Sequence, residues 1–158
     1  MASTGKAKIN TPKLEKAKVV IVRTEWNKLI VDALFDGCKK ILNANGISFV
    51  DYIVPGAFEI PFTVKNCWDL SKKNKPDAFI ALGCVIKGDT PHFEYVSNAV
   101  TNGIAELNLR LPVPVIFGVL TVNNEDQAKE RTGGIHGHKG EEAADAAIKM
   151  ISISRSMK

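Results

Sequence analysis

The residues of this chain best suited to chemistry gather in one stretch, GCVIKGDTPHFEYV, residues 83–96. An apolar run ends there in Gly88, Asp89, Thr90, Pro91 and His92. Thr90 suits a helix N-cap. Pro91 suits the first helical position, where a fixed φ and a missing N–H cost nothing. Gly88 has no Cβ to hold a ligand off the backbone. The free amides of that first turn form a seat for an anion, with phosphate the best fit. His92, expected at the second helical position, feels the positive end of the helix. An imidazole at that position can take up and return a proton. The chemistry implied is proton transfer beside a bound phosphate. Taken alone, the five residues read more readily as a plain cap with a surface histidine.

Pro55-Gly56-Ala57-Phe58-Glu59 repeats the logic at an earlier turn. Gly56 and Ala57 leave room for a ligand, and Glu59 offers a carboxylate to sugar-like hydroxyls. Glu59 fits equally well as an acid complementing a helix dipole. Trp26 lies outside any apolar stripe and could stack on a flat heterocycle or close the edge of the core. Phe117 falls inside an apolar run and reads as core. Arg131 ends a helix, where a cation is expected in any case. His136, His138 and Lys139 crowd a glycine-rich bend, but no cysteine or carboxylate completes a metal set there. The chain has no Gly-x-Gly-x-x-Gly after its first strand, no Walker loop and no nucleophile elbow.

These residues need strands and helices to hold them. KVVIVR (18–23) is a short β-branched run and reads as a buried strand. Ile30, Leu34, Cys38 and Ile41 mark a helical stripe that Asn45-Gly46 ends. A second strand is expected over 47–54, then a helix with Ile60, Val64, Cys67 and Trp68 facing inward. Pro61 is tolerable only near the start of that helix. Residues 78–86 are apolar almost throughout, so this third strand should be covered on both faces. The helix from Pro91 to about Arg110 turns Val96, Val100, Gly103, Ile104 and Leu107 to one side. A fourth strand is expected over 115–121. Asn124 and Gln127 then cap a short helix ending near Arg131. Thr132-Gly133-Gly134 breaks the chain, and a last helix from about Gly140 has Ala144, Ala147, Ile148 and Ile151 as its stripe. Four strand–helix repeats with hydrophobic strands predict an α/β fold: a parallel sheet with helices on both faces. Ligands of such sheets bind beyond the carboxyl ends of the strands. The loops at 24–27, 55–59, 87–92 and 121–124 are therefore the places to look.

The bulk numbers agree. At 158 residues, 45% hydrophobic and 24% charged, the chain suits one soluble domain with one core. Five lysines and one glutamate in residues 1–18 hold the whole net charge of +4, and the other 16 basic and 16 acidic groups cancel. The basic balance thus belongs to an N-terminal arm, residues 1–17, and no folded basic face points to nucleic acid. One short edge strand is expected in the arm around Ala7–Asn10. Cys38, Cys67 and Cys84 are too few and too scattered for a disulfide framework or a metal knuckle, which suggests a reducing compartment. No apolar run is long enough to span a bilayer. A cytoplasmic protein is expected, with an organelle address left open by the lysine-rich start.

Taken together, the loops resemble the lumazine synthase family of riboflavin biosynthesis. The resemblance runs from about Val19 to Ser152. It is carried by PGAFEIP (55–61), GCVIKGDTPHFEYV (83–96), FGVLT (117–121) and QAKERTGG…HGHKGEEAA (127–144), in that order. It implies a flavodoxin-like three-layer αβα sandwich around a four-stranded parallel sheet, with residues 18–158 as one domain. It also implies a transferase that joins 5-amino-6-(D-ribitylamino)uracil to 3,4-dihydroxy-2-butanone 4-phosphate, releasing phosphate and water and needing neither cofactor nor metal.

By the same resemblance, Trp26 stacks on the pyrimidine. Ala57, Phe58 and Glu59 hold the ribityl chain, and the backbone of Val85, Ile86 and Lys87 reads the uracil edge. Asp89 and Thr90 form the phosphate turn, with the Asp89 amide binding because its carboxylate would repel. His92 transfers protons. Phe117, Arg131, Lys139 and Glu142 match residues supplied by a neighbouring subunit, with Arg131 on the phosphate. The implied assembly is a homopentamer. The short link 134–140 points further, to a shell of twelve pentamers, and riboflavin synthase is a candidate partner. The N-terminal arm matches a segment that adds a strand to the next subunit. A non-catalytic flavin- or lumazine-binding homologue, or a shell protein, is the alternative reading; the intact His92, Arg131 and Lys139 argue against the first.

Overall fold

The computed structural model describes residues 14–158, so the edge strand expected around Ala7–Asn10 lies outside the described residues. Four strands alternate with helices: β1 (Lys18–Thr24), α1 (Lys28–Ala44), β2 (Ser48–Val54), α2 (Ile60–Leu70), β3 (Ala78–Ile86), α3 (His92–Arg110) and β4 (Val115–Val122). A short α4 (Glu125–Lys129) and the long α5 (Lys139–Ser156) follow. All four strands pair in parallel, in the order β2-β1-β3-β4. The fold is the expected flavodoxin-like α/β sandwich.

Strand alternation builds the two outer layers. In β3, Ala78, Ile80, Leu82 and Cys84 face one core, against α1 and α5. Phe79 and Ala81 face the other, against α2 and α3. β1 divides the same way, with Val19 and Ile21 on one side and Val20 and Val22 on the other. Every residue of β3 from Ala78 to Cys84 is buried. Full burial of a side chain as large as Ile, Leu or Phe is worth about 1.5–3 kcal/mol. β2 is an edge strand, and its Val50, Tyr52 and Ile53 remain exposed. The chain before β1 already belongs to the core, since Leu14 and Ala17 pack into the α1–α5 side.

Several local expectations change. The bend after α4 is a small antiparallel hairpin, β5 (Thr132–Gly134) with β6 (Gly137–His138). Gly133 and Gly137 both take positive φ there, and two- and three-residue strands are too short to leave a periodic signal. α3 begins at His92, with Pro91 in the cap position and in helical conformation. The expected Thr90 cap is therefore one residue too early, and His92 is the first helical residue. Trp68 is only half-buried and lies under the Lys75 ammonium, 3.8 Å from the ring centroid. Phe117 is an exposed residue of β4, because β4 is the sheet's other edge and its flank is open.

α1 and α5 approach so closely that two glycines are obligatory. A Cβ on Gly140 would stand 1.9 Å from the Leu34 carbonyl oxygen, and one on Gly37 would stand 2.1 Å from the His138 ring. His138 fills that slot and accepts a hydrogen bond from the Glu141 amide at 3.4 Å, capping α5. At the other end of β1, Arg23 ties three elements together. Its guanidinium bonds Asp51 of β2 and Asp32 of α1, each at 2.8 Å, and lies over the Phe35 ring.

Gly140→Ala is therefore expected to pry α5 from α1 and lower unfolding stability by about 1–3 kcal/mol, the cost of overpacking a filled core. Gly88→Ala should leave the urea midpoint almost unchanged, because no atom lies within 4 Å of its would-be Cβ. Equilibrium urea denaturation of the two variants checks both.

Candidate active site

Where β1, β2 and β3 end, the sheet opens into a cavity of about 510 Å³. Trp26, Ala57, Phe58, Glu59, Val85, Ile86, Thr90 and His92 all line it. The loop after β1 is held by backbone bonds. Glu25 donates to Val54 O at 2.8 Å, and Trp26 donates to Pro55 O at 3.3 Å. Those bonds present the Trp26 side chain almost bare, 74% exposed, at the cavity mouth. Phe58 is 64% exposed beside it. Two large aromatic faces turned to solvent at one opening suit a planar ligand.

The Pro55–Glu59 turn is built by Glu59, whose Oε2 accepts the Gly56 amide at 2.9 Å. Glu59 thus caps its own turn. An ionised carboxylate has about four acceptor positions, so capacity remains for hydroxyl groups of a ligand. The β3 exit differs between its two sides. Lys87 donates its amide to Val122 O at 2.9 Å, on the β4 side. Residues alternate in the direction of their backbone groups along a parallel strand, so Ile86 turns its N–H and C=O toward the cavity side. That leaves Ile86, rather than Lys87, with backbone groups free to read a ligand edge. Lys87 and Asp89 are exposed and do not line the cavity.

The remaining expected residues form a second cluster. Phe117, Lys139 and Glu142 line a hollow of about 240 Å³ between β4 and α5. Lys139 Nζ donates to both carboxylate oxygens of Glu142, at 2.9 and 2.7 Å. Arg131 joins through the backbone, its carbonyl accepting from the Lys139 amide at 2.8 Å. One nitrogen of its guanidinium donates to Gln127 O, also at 2.8 Å, leaving further N–H groups of the fork for an anion. Phe117 is 42% exposed at the rim. The expected site residues therefore divide into two groups on one chain. Among the described residues no three metal-ligating side chains come together, and His136 and His138 serve the hairpin and the α5 cap.

Several cavity residues were not singled out one by one in the sequence. Thr24 and Asn27 look like loop polar residues, yet Thr24 is buried and Asn27 takes left-handed φ, 56°. Asparagine's tolerance of that conformation was the one available signal for Asn27. Cys84 and Phe93 line the cavity too. Burial pushes the Cys84 thiol up to about 11 and the Cys38 thiol up to about 12. A thiol so placed is a small apolar wall and not a nucleophile.

Comparison with known proteins gives one consistent answer. Residues 16–155 match the family model described as 6,7-dimethyl-8-ribityllumazine synthase. Proteins of that name from Parabacteroides distasonis and Bacteroides fragilis are 43% and 45% identical to the chain. The alignments cover 92% and 89% of this chain, and 91% and 98% of the relatives. A protein of the same name from Cytophaga hutchinsonii is 46% identical over 89% of each chain.

The raised thiols predict that Cys38 and Cys84 resist iodoacetamide at pH 8 in the folded protein and alkylate once urea unfolds it. Mass-shift counting distinguishes the two states. Both groups sit above their unfolded value in the folded state. Their contribution to stability is thus full below pH 9.0 and falls as pH rises toward 11–12.

Proposed function

The chain belongs to the 6,7-dimethyl-8-ribityllumazine synthase family, a transferase family of riboflavin biosynthesis, and we propose that its active site is assembled from the two residue clusters of adjacent subunits. The reaction joins 5-amino-6-(D-ribitylamino)uracil to 3,4-dihydroxy-2-butanone 4-phosphate, with loss of phosphate and water. The division of the site residues carries the proposal. One cavity gathers stacking faces, a polyol acceptor and an imidazole, while Arg131, Lys139 and Phe117 lie on the β4–α5 flank of the same chain. A single copy thus offers two incomplete halves, each rimmed by exposed aromatic surface.

In this reading, the uracil ring stacks on Trp26 and its edge meets the Ile86 backbone, with Val85 and Lys87 flanking. Ala57, Phe58 and Glu59 hold the ribityl chain. The phosphate sits over the amides of Asp89 and Thr90 at the start of α3, where the helix end attracts an anion. The empty space around Gly88 supports close approach there. The neighbour's Arg131 closes on the same phosphate, and its Phe117 and Lys139 complete the wall. Its Glu142 orients Lys139. Condensing an amine with a ketone, expelling phosphate and closing a ring each displace protons. His92, at the cavity edge, takes and returns them. General acid–base catalysis by one positioned group supplies about 10²–10⁴-fold, and holding two substrates together supplies much of the rest.

The assembly proposed is a homopentamer, with the short 134–140 link favouring closure of twelve pentamers into a shell. The exposed apolar residues of edge strand β2 suit cover by a neighbour's N-terminal arm. Within residues 1–17 the part before Leu14 then acts as that arm, since Leu14 and Ala17 pack into this chain's own core, and 18–158 form the domain, in a cytoplasmic enzyme with riboflavin synthase as a partner.

His92→Ala is expected to lower kcat by about 10²–10⁴-fold while product still forms from both substrates, followed by lumazine absorbance. Arg131→Ala should also be nearly inactive. Co-assembling the two impaired variants should restore part of the activity, since some contacts then pair an intact cavity with an intact Arg131. No recovery in mixed assemblies would place both residues in one subunit's site.

A further inference from the structure

The β1–β3 pairing stops at Arg23↔Leu82, whereas β3–β4 runs on to Ile86↔Val122. Beyond Leu82, β3 has lost its β1 neighbour, and this divergence opens the cavity. A longer β1 would bring the Trp26 amide to the Cys84 carbonyl. Trp26 instead donates the other way, to Pro55 O at 3.3 Å. The rung is completed by a side chain, with Asn27 Nδ2 donating to Cys84 O at 2.8 Å, across 57 residues of sequence. A carbonyl only accepts, so the amide nitrogen of Asn27 must face it.

Asn27 performs two separable tasks. Its backbone holds left-handed φ and starts α1, its carbonyl accepting from Ile30 N at 3.0 Å and Val31 N at 3.1 Å. Its side chain makes no cap bond to α1 and crosses to β3. Helix initiation alone would not require that crossing. The bond links the residue after Trp26 to the residue two before Ile86.

We propose that Asn27 is a positioning residue for the pyrimidine substrate: its amide fixes the gap between the Trp26 ring and the β3 exit, and so sets how tightly a planar heterocycle is held. The inference rests on the pyrimidine binding between Trp26 and Ile86. The phosphate turn at Asp89–Thr90 lies farther along the chain, past the Lys87–Val122 bond, and should not feel the loss.

Two variants separate the tasks. Asn27→Gly keeps the left-handed backbone at no steric cost and removes the amide. Asn27→Asp keeps the shape and a tolerance for that φ but sets a carboxylate against the Cys84 carbonyl. Steady-state kinetics with both substrates, on assemblies matched by light scattering, give the readout. The expected result is a KM for the pyrimidine raised about tenfold in Asn27→Gly, the scale of one hydrogen bond. It should rise at least as much in Asn27→Asp. In both variants the KM for the phosphate substrate should stay within about twofold. A pyrimidine KM at the wild-type value in Asn27→Gly would overturn the proposal. So would an equal loss for both substrates, or failure of both variants to assemble, since Asn27 would then act on the fold alone. Wild-type enzyme forming no lumazine would instead defeat the functional reading, independently of Asn27.

Discussion

The register of β3 between β1 and β4 is the constraint on which the rest depends. Side chains alternate along a strand, so a slip of one residue would exchange Ile80 and Leu82 with Phe79 and Ala81 across the sheet. Both faces are filled, so neither core could accept the exchange without voids or clashes. The register is therefore held from both sides, and so is the point at which β3 leaves the sheet. Everything chemical in Gly83–Val96 hangs from that point.

A second constraint lies on the α1–α5 face. Gly37 and Gly140 let these helices meet with a histidine ring wedged between them. That contact fixes the start of α5, and with it Lys139 and Glu142, whose ion pair lies in the helix's first turn. The cluster on the β4 flank is thus placed by helix packing, while the cavity is placed by strand exits. Two different features of the sandwich thus position the two clusters.

Much of this was legible in the chain itself. The apolar run of β3, the stripes of α1 and α5, and the Asn124–Gln127 cap each follow from a local rule, and each stands within a residue or two of its expected place. The hairpin at 132–138 was not legible, because two- and three-residue strands carry no periodic signal. Phe117 misled as well. An aromatic inside an apolar strand reads as core, and only the sheet order reveals β4 as an edge with an open flank.

The sequence alone determined the element order, the faces of the strands and the residue types at the loop ends, because these depend on neighbours a few positions apart. It also carried the family resemblance, since the motifs stand in one order with their spacing intact. Only the tertiary structure decided which loops share a cavity. It also decided that Ile86 and not Lys87 turns its backbone inward, and that Asn27 bonds Cys84 across the gap. These facts depend on where β1 parts from β3, which no local pattern encodes. That parting is fixed by the packing of two cores against one sheet.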